Sequence, residues 1–187
     1  MTFTGRVWRH VPRGAHPLDF SHLINANGRW NRANLYGCLY TALTPEGAVA
    51  EYRKHHLRRG LQGARDLVSL SVRVDHVLDL AGLMEDVDAG RRQVPVPGRL
   101  RGRASALRSL PDIDPTSLTG DRPADLEHCR QVADWARRMG FLAIRAASAA
   151  LTGAVTLSIY PENRPGEIQL AVEGKATPLN YGPEPLA

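Results

Sequence analysis

Cysteine is scarce in this sequence: Cys38 and Cys129 are the only two, too few for a disulfide framework and without the paired spacing of a zinc site. Each is expected as a small buried hydrophobe, not as a nucleophile or ligand. Long apolar runs are missing as well. Crossing a bilayer takes roughly 20 consecutive apolar residues, and no stretch qualifies. The opening segment Met1–His10 is broken by Arg6, Arg9 and His10 where a secretory leader would be continuous, so a cytoplasmic address is expected. No glycine pattern between a strand and a helix forms a dinucleotide fingerprint or a phosphate-binding P-loop, and no Gly-x-Ser-x-Gly elbow marks a serine hydrolase. Histidines number seven. However, His55 and His56 are adjacent, so they diverge on a helix, and no acidic residue completes a spaced triad; no metal is expected.

What is present fits one domain spanning 1–187. A chain of 187 residues with 43% hydrophobic and 23% charged content has the size and balance of a single globular core. The excess of 24 Lys and Arg over 19 Asp and Glu gives a net charge of +5, which favours acidic partners without choosing among nucleic acid, nucleotide and acidic protein. Part of that charge is concentrated in Arg91, Arg92, Arg99, Arg101, Arg103 and Arg108, with no acidic residue between the first and last. Pro95, Pro97, Gly98 and Gly102 interrupt the stretch and no aromatic falls inside it, so it reads as an exposed connection, not a base-stacking surface.

Periodicity orders the rest. Arg6–His10 alternates as a short strand, and Cys38–Leu43 as a second, which sends Leu39, Thr41 and Leu43 to one face and Tyr40 to the other. Thr44 has the hydroxyl of an N-cap, Pro45 suits the first helical position and Glu46 complements the helix dipole, so a helix is predicted from Pro45 to about Arg59, stopping near Gly60. On it Ala48, Glu51, Tyr52 and His55 share a face; a half-buried Glu51 there needs a partner. Asp66–Leu80 is predicted as one core strand with Val68, Leu70, Val72 and Val74 on a single side. A second helix opens at Asp121 and Pro123, repeats Leu126, Cys129, Val132, Ala136 and Met139 at helical spacing, and ends at Gly140. Three strand-like runs close the chain, at Phe141–Arg145, Ala154–Tyr160 and Glu167–Val172. The order implies an α+β fold in which a mixed sheet is flanked by few helices.

Two blocks carry a family likeness: Gly28-Arg29-Trp30-Asn31, and Leu39-Tyr40-Thr41-Ala42-Leu43-Thr44-Pro45-Glu46-Gly47-Ala48-Val49-Ala50-Glu51. With them goes Ser148, which follows a helix, the glycine Gly140 and the short strand Phe141–Arg145. Together these resemble the RES domain, named for an arginine, a glutamate and a serine and found in toxins of bacterial toxin–antitoxin pairs. The resemblance extends from about Arg6 to Tyr160. It implies an ADP-ribosyltransferase-like fold, NAD⁺ as substrate with no metal, and neutralisation by an Xre-type helix-turn-helix antitoxin.

The residue types suit cleavage of the bond between nicotinamide and ribose, which puts positive charge on the sugar while the departing pyridinium becomes neutral. Glu51 would stabilise the oxocarbenium-like transition state. Arg29 would clamp the diphosphate through charge-assisted bonds, Tyr40 would stack on the nicotinamide ring, and Ser148 would hold the carboxamide or a phosphate oxygen. Trp30 and Asn31 complete the binding residues that the likeness implies.

Three readings stand side by side. The first is an NAD⁺-degrading toxin that uses water or phosphate as the attacking group. The second is an ADP-ribosyltransferase that modifies a protein or nucleotide, since the same bond breaks and only the acceptor differs. The third, from a different class, is a nucleic-acid-binding module driven by the basic charge; it lacks a helix-turn-helix or RNA-binding signature.

Overall fold

A computed structural model describes residues 1–19, 21–25, 27–55, 63–82, 115–163 and 165–179. The expected end of the first helix near Gly60 and the Arg91–Arg108 cluster lie outside the described residues.

The strands are β1 (Phe3–Pro12), β2 (Leu39–Ala42), β3 (Arg65–Val74), β4 (Val77–Asp79), β5 (Ala143–Ala147), β6 (Val155–Ile159) and β7 (Ile168–Leu179); the α-helices are α1 (Pro45–His55), α2 (Pro115–Thr119) and α3 (Pro123–Arg138). All the strands join one mixed sheet in the order β4-β5-β6-β2-β1-β3-β7. Among the described residues only the β4–β5 pairing is parallel. The α+β class is thus observed, with one correction within it. The apolar run from Asp66 to Leu80 is two strands, because the chain turns at Asp75 and His76, and His76 adopts a left-handed φ of 56°.

Side-chain alternation divides the core between the two faces of the sheet. One face carries Leu78, Ile144 and Tyr40 against Cys129, Val132, Trp135 and Ala136 of α3. The other carries Val7, Leu39, Leu70, Val72, Val74, Val77 and Ile159. That second face is partly enclosed by curling of the sheet itself. The N–H of Val77 donates to the carbonyl of Met1 at 2.8 Å, so the start of the chain reaches β4 although β1 and β4 stand well apart in strand order.

Local chemistry explains the element that matters most for the site. The Thr44 hydroxyl accepts the Gly47 N–H at 3.1 Å and caps the first turn of α1. Ala48 and Tyr52 are the helix's apolar contacts, 3% and 4% exposed, and Tyr52 meets the His10 ring of β1 with centroids 5.2 Å apart. With Ala48 and Tyr52 facing the sheet, Glu51 lies at the border of the buried stripe.

Candidate active site

Glu51 has the partners that its position demands. Its side chain is 21% exposed; His55, one helical turn on, places Nε2 3.0 Å from Oε2, and the Ser148 hydroxyl donates to Oε1 at 2.6 Å. Burial pushes the Glu51 carboxyl up, but the hydrogen bonds from His55 and Ser148, with the charges of His55 and Arg29, outweigh it and hold the group below its ordinary value. Glu51 is therefore ionised near neutral pH.

Ser148 is presented by the turn that follows β5. Its N–H donates to Ala154 O at 2.8 Å, and its Oγ accepts the N–H groups of Ala150 at 3.0 Å and Leu151 at 3.2 Å. One hydroxyl therefore closes the loop and also orients a carboxylate on another element. The same loop is tied to α1 by Lys54, whose Nζ donates to Ala149 O at 2.6 Å.

Arg29 reaches the region from the turn at residues 28–31, and that turn is bound on all sides. Tyr40 Oη accepts the Trp30 N–H at 2.9 Å and donates to Asn31 Oδ1 at 2.8 Å. Trp30 O accepts from the Tyr160 hydroxyl at 3.0 Å, and Gly28 O from Arg130 Nε at 3.0 Å. Gly28 is required by close approach: a Cβ there would lie 2.1 Å from Tyr40 Oη and 2.3 Å from Asn31 Oδ1. The Asn31 amide nitrogen donates to Leu23 O at 3.1 Å and Tyr36 O at 3.4 Å.

So secured, Arg29 is only 9% exposed at its side chain. Its Nη1 donates to Leu118 O at 3.0 Å and Gly120 O at 2.8 Å, and its Nη2 to Asp121 Oδ1 at 2.9 Å. Lys54 Nζ lies 2.7 Å from the other Asp121 oxygen. Burial would raise the Asp121 carboxyl, but the bond and charge of Lys54, with the charges of Arg29 and His55, hold it below its ordinary value. The segment that offers these acceptors is built around another close approach: Gly120 lies against Asp125, which accepts the Arg122 N–H at 3.1 Å, and a Cβ on Gly120 would meet Asp125 Oδ2 at 2.2 Å.

The residues expected from the sequence thus fall into two layers. Glu51, Ser148 and Arg29 form one charged neighbourhood, in which Arg29 acts electrostatically on Glu51. Trp30 and Asn31, expected among the binding residues, are 2% and 1% exposed; the structure places them beneath the site as supports of the Arg29 turn. Tyr40 is half-buried, with its hydroxyl committed to that turn. Lys54, His55 and Asp121 are the additions. His55 was legible from its spacing to Glu51 on the helix, and Lys54 lies three residues from Glu51, also within reach by spacing. Asp121 reads in the sequence only as the start of a helix. Beside the cluster, an open groove of about 720 Å³ is lined by Val49, Ala50, Arg53 and Lys54 of α1 and by Ala149 and Leu151. Glu51 and Arg29 do not line this groove, and the geometry of the charged cluster is the better guide to chemistry.

The cysteines offer no competing nucleophile. Both are buried; burial pushes the Cys38 thiol up to about 12 and raises that of Cys129. Among the described residues no group of His, Cys, Asp and Glu is arranged to hold a metal ion, and no helix is long and apolar enough to cross a membrane.

Comparison with solved structures matches this chain to one in the crystal structure of the M. tuberculosis MbcT–MbcA toxin–antitoxin complex, with a TM-score of 0.62 and 18% identity over 95% of this chain and 85% of that one. At that identity the likeness speaks to the fold. A comparison with curated proteins finds no match. The profile of the RES domain matches residues 6–182, a span that holds the Arg29 turn, Glu51, Ser148 and every strand from β2 to β7. The chain belongs to the RES-domain family.

Proposed function

We propose that this protein cleaves NAD⁺ between nicotinamide and ribose and acts as the toxin of a toxin–antitoxin pair. The observation that carries the reading is the Glu51 carboxylate, ionised, oriented by Ser148 from a distant element, and close enough to Arg29 to feel its charge. As the C1′–N bond breaks, its electron pair leaves with nicotinamide and C1′ becomes cationic. A fixed carboxylate is the group that stabilises this charge. Ser148 and His55 restrict the carboxylate to one orientation, which lowers the reorganisation needed at the moment of cleavage. Arg29 supplies the positive charge that suits the dinucleotide's diphosphate, and the half-buried ring of Tyr40 is assigned to the nicotinamide. Water or phosphate then attacks C1′. Family membership, and the fold shared with a chain of the MbcT–MbcA toxin–antitoxin complex, support an antitoxin as partner, and an Xre-type helix-turn-helix protein is the proposed one. Cytoplasmic NAD⁺ is the proposed substrate pool.

The test is product analysis with purified protein and NAD⁺ in phosphate and in phosphate-free buffer. If water attacks, free nicotinamide and ADP-ribose are expected in both buffers; if phosphate attacks, free nicotinamide and the 1-phosphate of ADP-ribose are expected in the phosphate buffer. Label from NAD⁺ appearing on a macromolecule in a lysate would reassign the acceptor and make the protein an ADP-ribosyltransferase. Folded protein that leaves NAD⁺ intact in both buffers overturns the reading.

A further inference from the structure

Arg29 and Lys54 converge on one carboxylate in an unusual distribution of exposure. The two cations are 9% and 14% exposed at the side chain, while Asp121 between them is 51% exposed. Surface ion pairs commonly join mobile side chains and contribute little. Here the cations are held by other groups: Arg29 by the carbonyls of Leu118 and Gly120, and Lys54 by the carbonyl of Ala149. Asp121, by contrast, is bound among the described residues by these two cations, one to each oxygen, at 2.9 Å and 2.7 Å. Its neighbours in the chain are fixed independently, Gly120 by its contact with Asp125 and Arg122 by its N–H bond to the same residue. The Asp121 side chain is thus the least constrained member of the trio, and rotating it away leaves the backbone undisturbed.

Two fixed donors aimed at a pair of oxygens, at a place half open to solvent, make an anion subsite. We propose that Asp121 is an internal stand-in for an anionic ligand: its carboxylate occupies a diphosphate subsite formed by Arg29 and Lys54, and the ligand binds by displacing it. Lys54 is then a second diphosphate-binding residue beside Arg29, one turn of α1 from Glu51, and Asp121 sets the affinity of the site by competing from within the chain. The identification of the ligand as the diphosphate of a dinucleotide rests on the function proposed above. The convergence of charge does not.

Inorganic pyrophosphate, titrated calorimetrically at low ionic strength, tests this without any turnover. Asp121→Asn removes the competing charge and is expected to tighten pyrophosphate binding by about fivefold or more, the scale of a typical coupling between two ligands of one site. Lys54→Gln is expected to weaken binding, and adding it to Asp121→Asn is expected to abolish the gain. Thermal melts verify that each variant is folded, and Asp121→Ser replaces Asp121→Asn should the latter fail. The proposal is overturned if removing the Asp121 charge leaves pyrophosphate binding no tighter than in wild type, or if the gain survives loss of Lys54. Because the readout is binding, an inert protein with the expected pyrophosphate pattern would remove the NAD⁺-cleaving function and keep the subsite. Cleavage without the pattern would do the reverse.

Discussion

Ser148 and Glu51 stand 97 residues apart in the chain, yet a 2.6 Å hydrogen bond joins hydroxyl to carboxylate. The bond does double duty, since the same oxygen also accepts two N–H groups of its own turn. Ser148→Ala should therefore cost stability and rate together. Two partly buried N–H groups lose their acceptor, a penalty of about 1–3 kcal/mol in urea unfolding, and a carboxylate free to rotate should lower NAD⁺ cleavage by about tenfold to a hundredfold. Glu51→Gln, which keeps the size and removes the charge, should lose more activity than Ser148→Ala. An unaltered rate in Glu51→Gln would end the electrostatic role given to that residue.

The lowered carboxyl of Glu51 predicts a pH dependence with a definite sign. A group that is more acidic in the folded than in the unfolded chain adds stability at pH values above its unfolded pKa, and that stability is lost as pH falls through the folded value. Wild type should thus lose its advantage over Glu51→Gln on acidification, with the two unfolding curves converging below the usual carboxylate range. Cleavage should decline over the same interval as Glu51 takes up its proton. A stability difference that grows on acidification would contradict the assignment.

Gly28 and Tyr40 should behave as a coupled pair. Gly28→Ala places a methyl group against Tyr40 Oη and Asn31 Oδ1 and should cost about 1–3 kcal/mol through overpacking. Tyr40→Phe removes a hydroxyl that serves both Trp30 and Asn31, at a cost of about 1–3 kcal/mol. Because Tyr40→Phe also removes the first obstacle to the new methyl, the double variant should lose less than the two single losses combined. Additive losses in a double-mutant cycle would mean that the contact is not shared.

Arg32, near Arg29 in sequence, should respond differently. Its guanidinium bonds Glu127 through both oxygens, at 3.0 Å and 2.6 Å, and Asp134 at 2.6 Å, fastening the segment after the Arg29 turn to α3. With the pairs partly exposed, Arg32→Ala should lower unfolding stability by about 1–2 kcal/mol, and Arg32→Lys should recover little because an ammonium cannot reproduce the fork. NAD⁺ cleavage by the protein that remains folded should be close to normal. Selective loss of kcat would move Arg32 into the site.

Much of the fold was legible because it depends on local pattern. The alternation around Tyr40 placed Leu39 and Tyr40 on opposite faces, the Thr44–Pro45 start fixed α1, and the spacing from Leu126 to Met139 anticipated α3. The break between β3 and β4 was hidden because the apolar run continues through Val77 and Leu78 while the turn uses His76, with no glycine or proline to mark it. In the site, Glu51 announced its need for a partner through its place on the helix face, but the sequence alone does not identify which distant hydroxyl supplies one; Ser148 entered through the family likeness. Asp121 stayed invisible for the opposite reason. Its local role at the start of a helix was complete in itself, and its meeting with Lys54 depends on how α1 and the α2–α3 turn pack.

The antiparallel pairing of β2 with β6, with Leu39 opposite Ile159, has a consequence for synthesis. A growing polypeptide exposes Glu51 long before the strands that present its serine have emerged from the ribosome, and Arg29 likewise waits for its carbonyl acceptors. Nascent or prematurely terminated fragments ending before β5 lack Ser148 and so leave the Glu51 carboxylate without its hydroxyl partner. The activity proposed for this site would thereby be deferred until β5 and the turn after it have emerged.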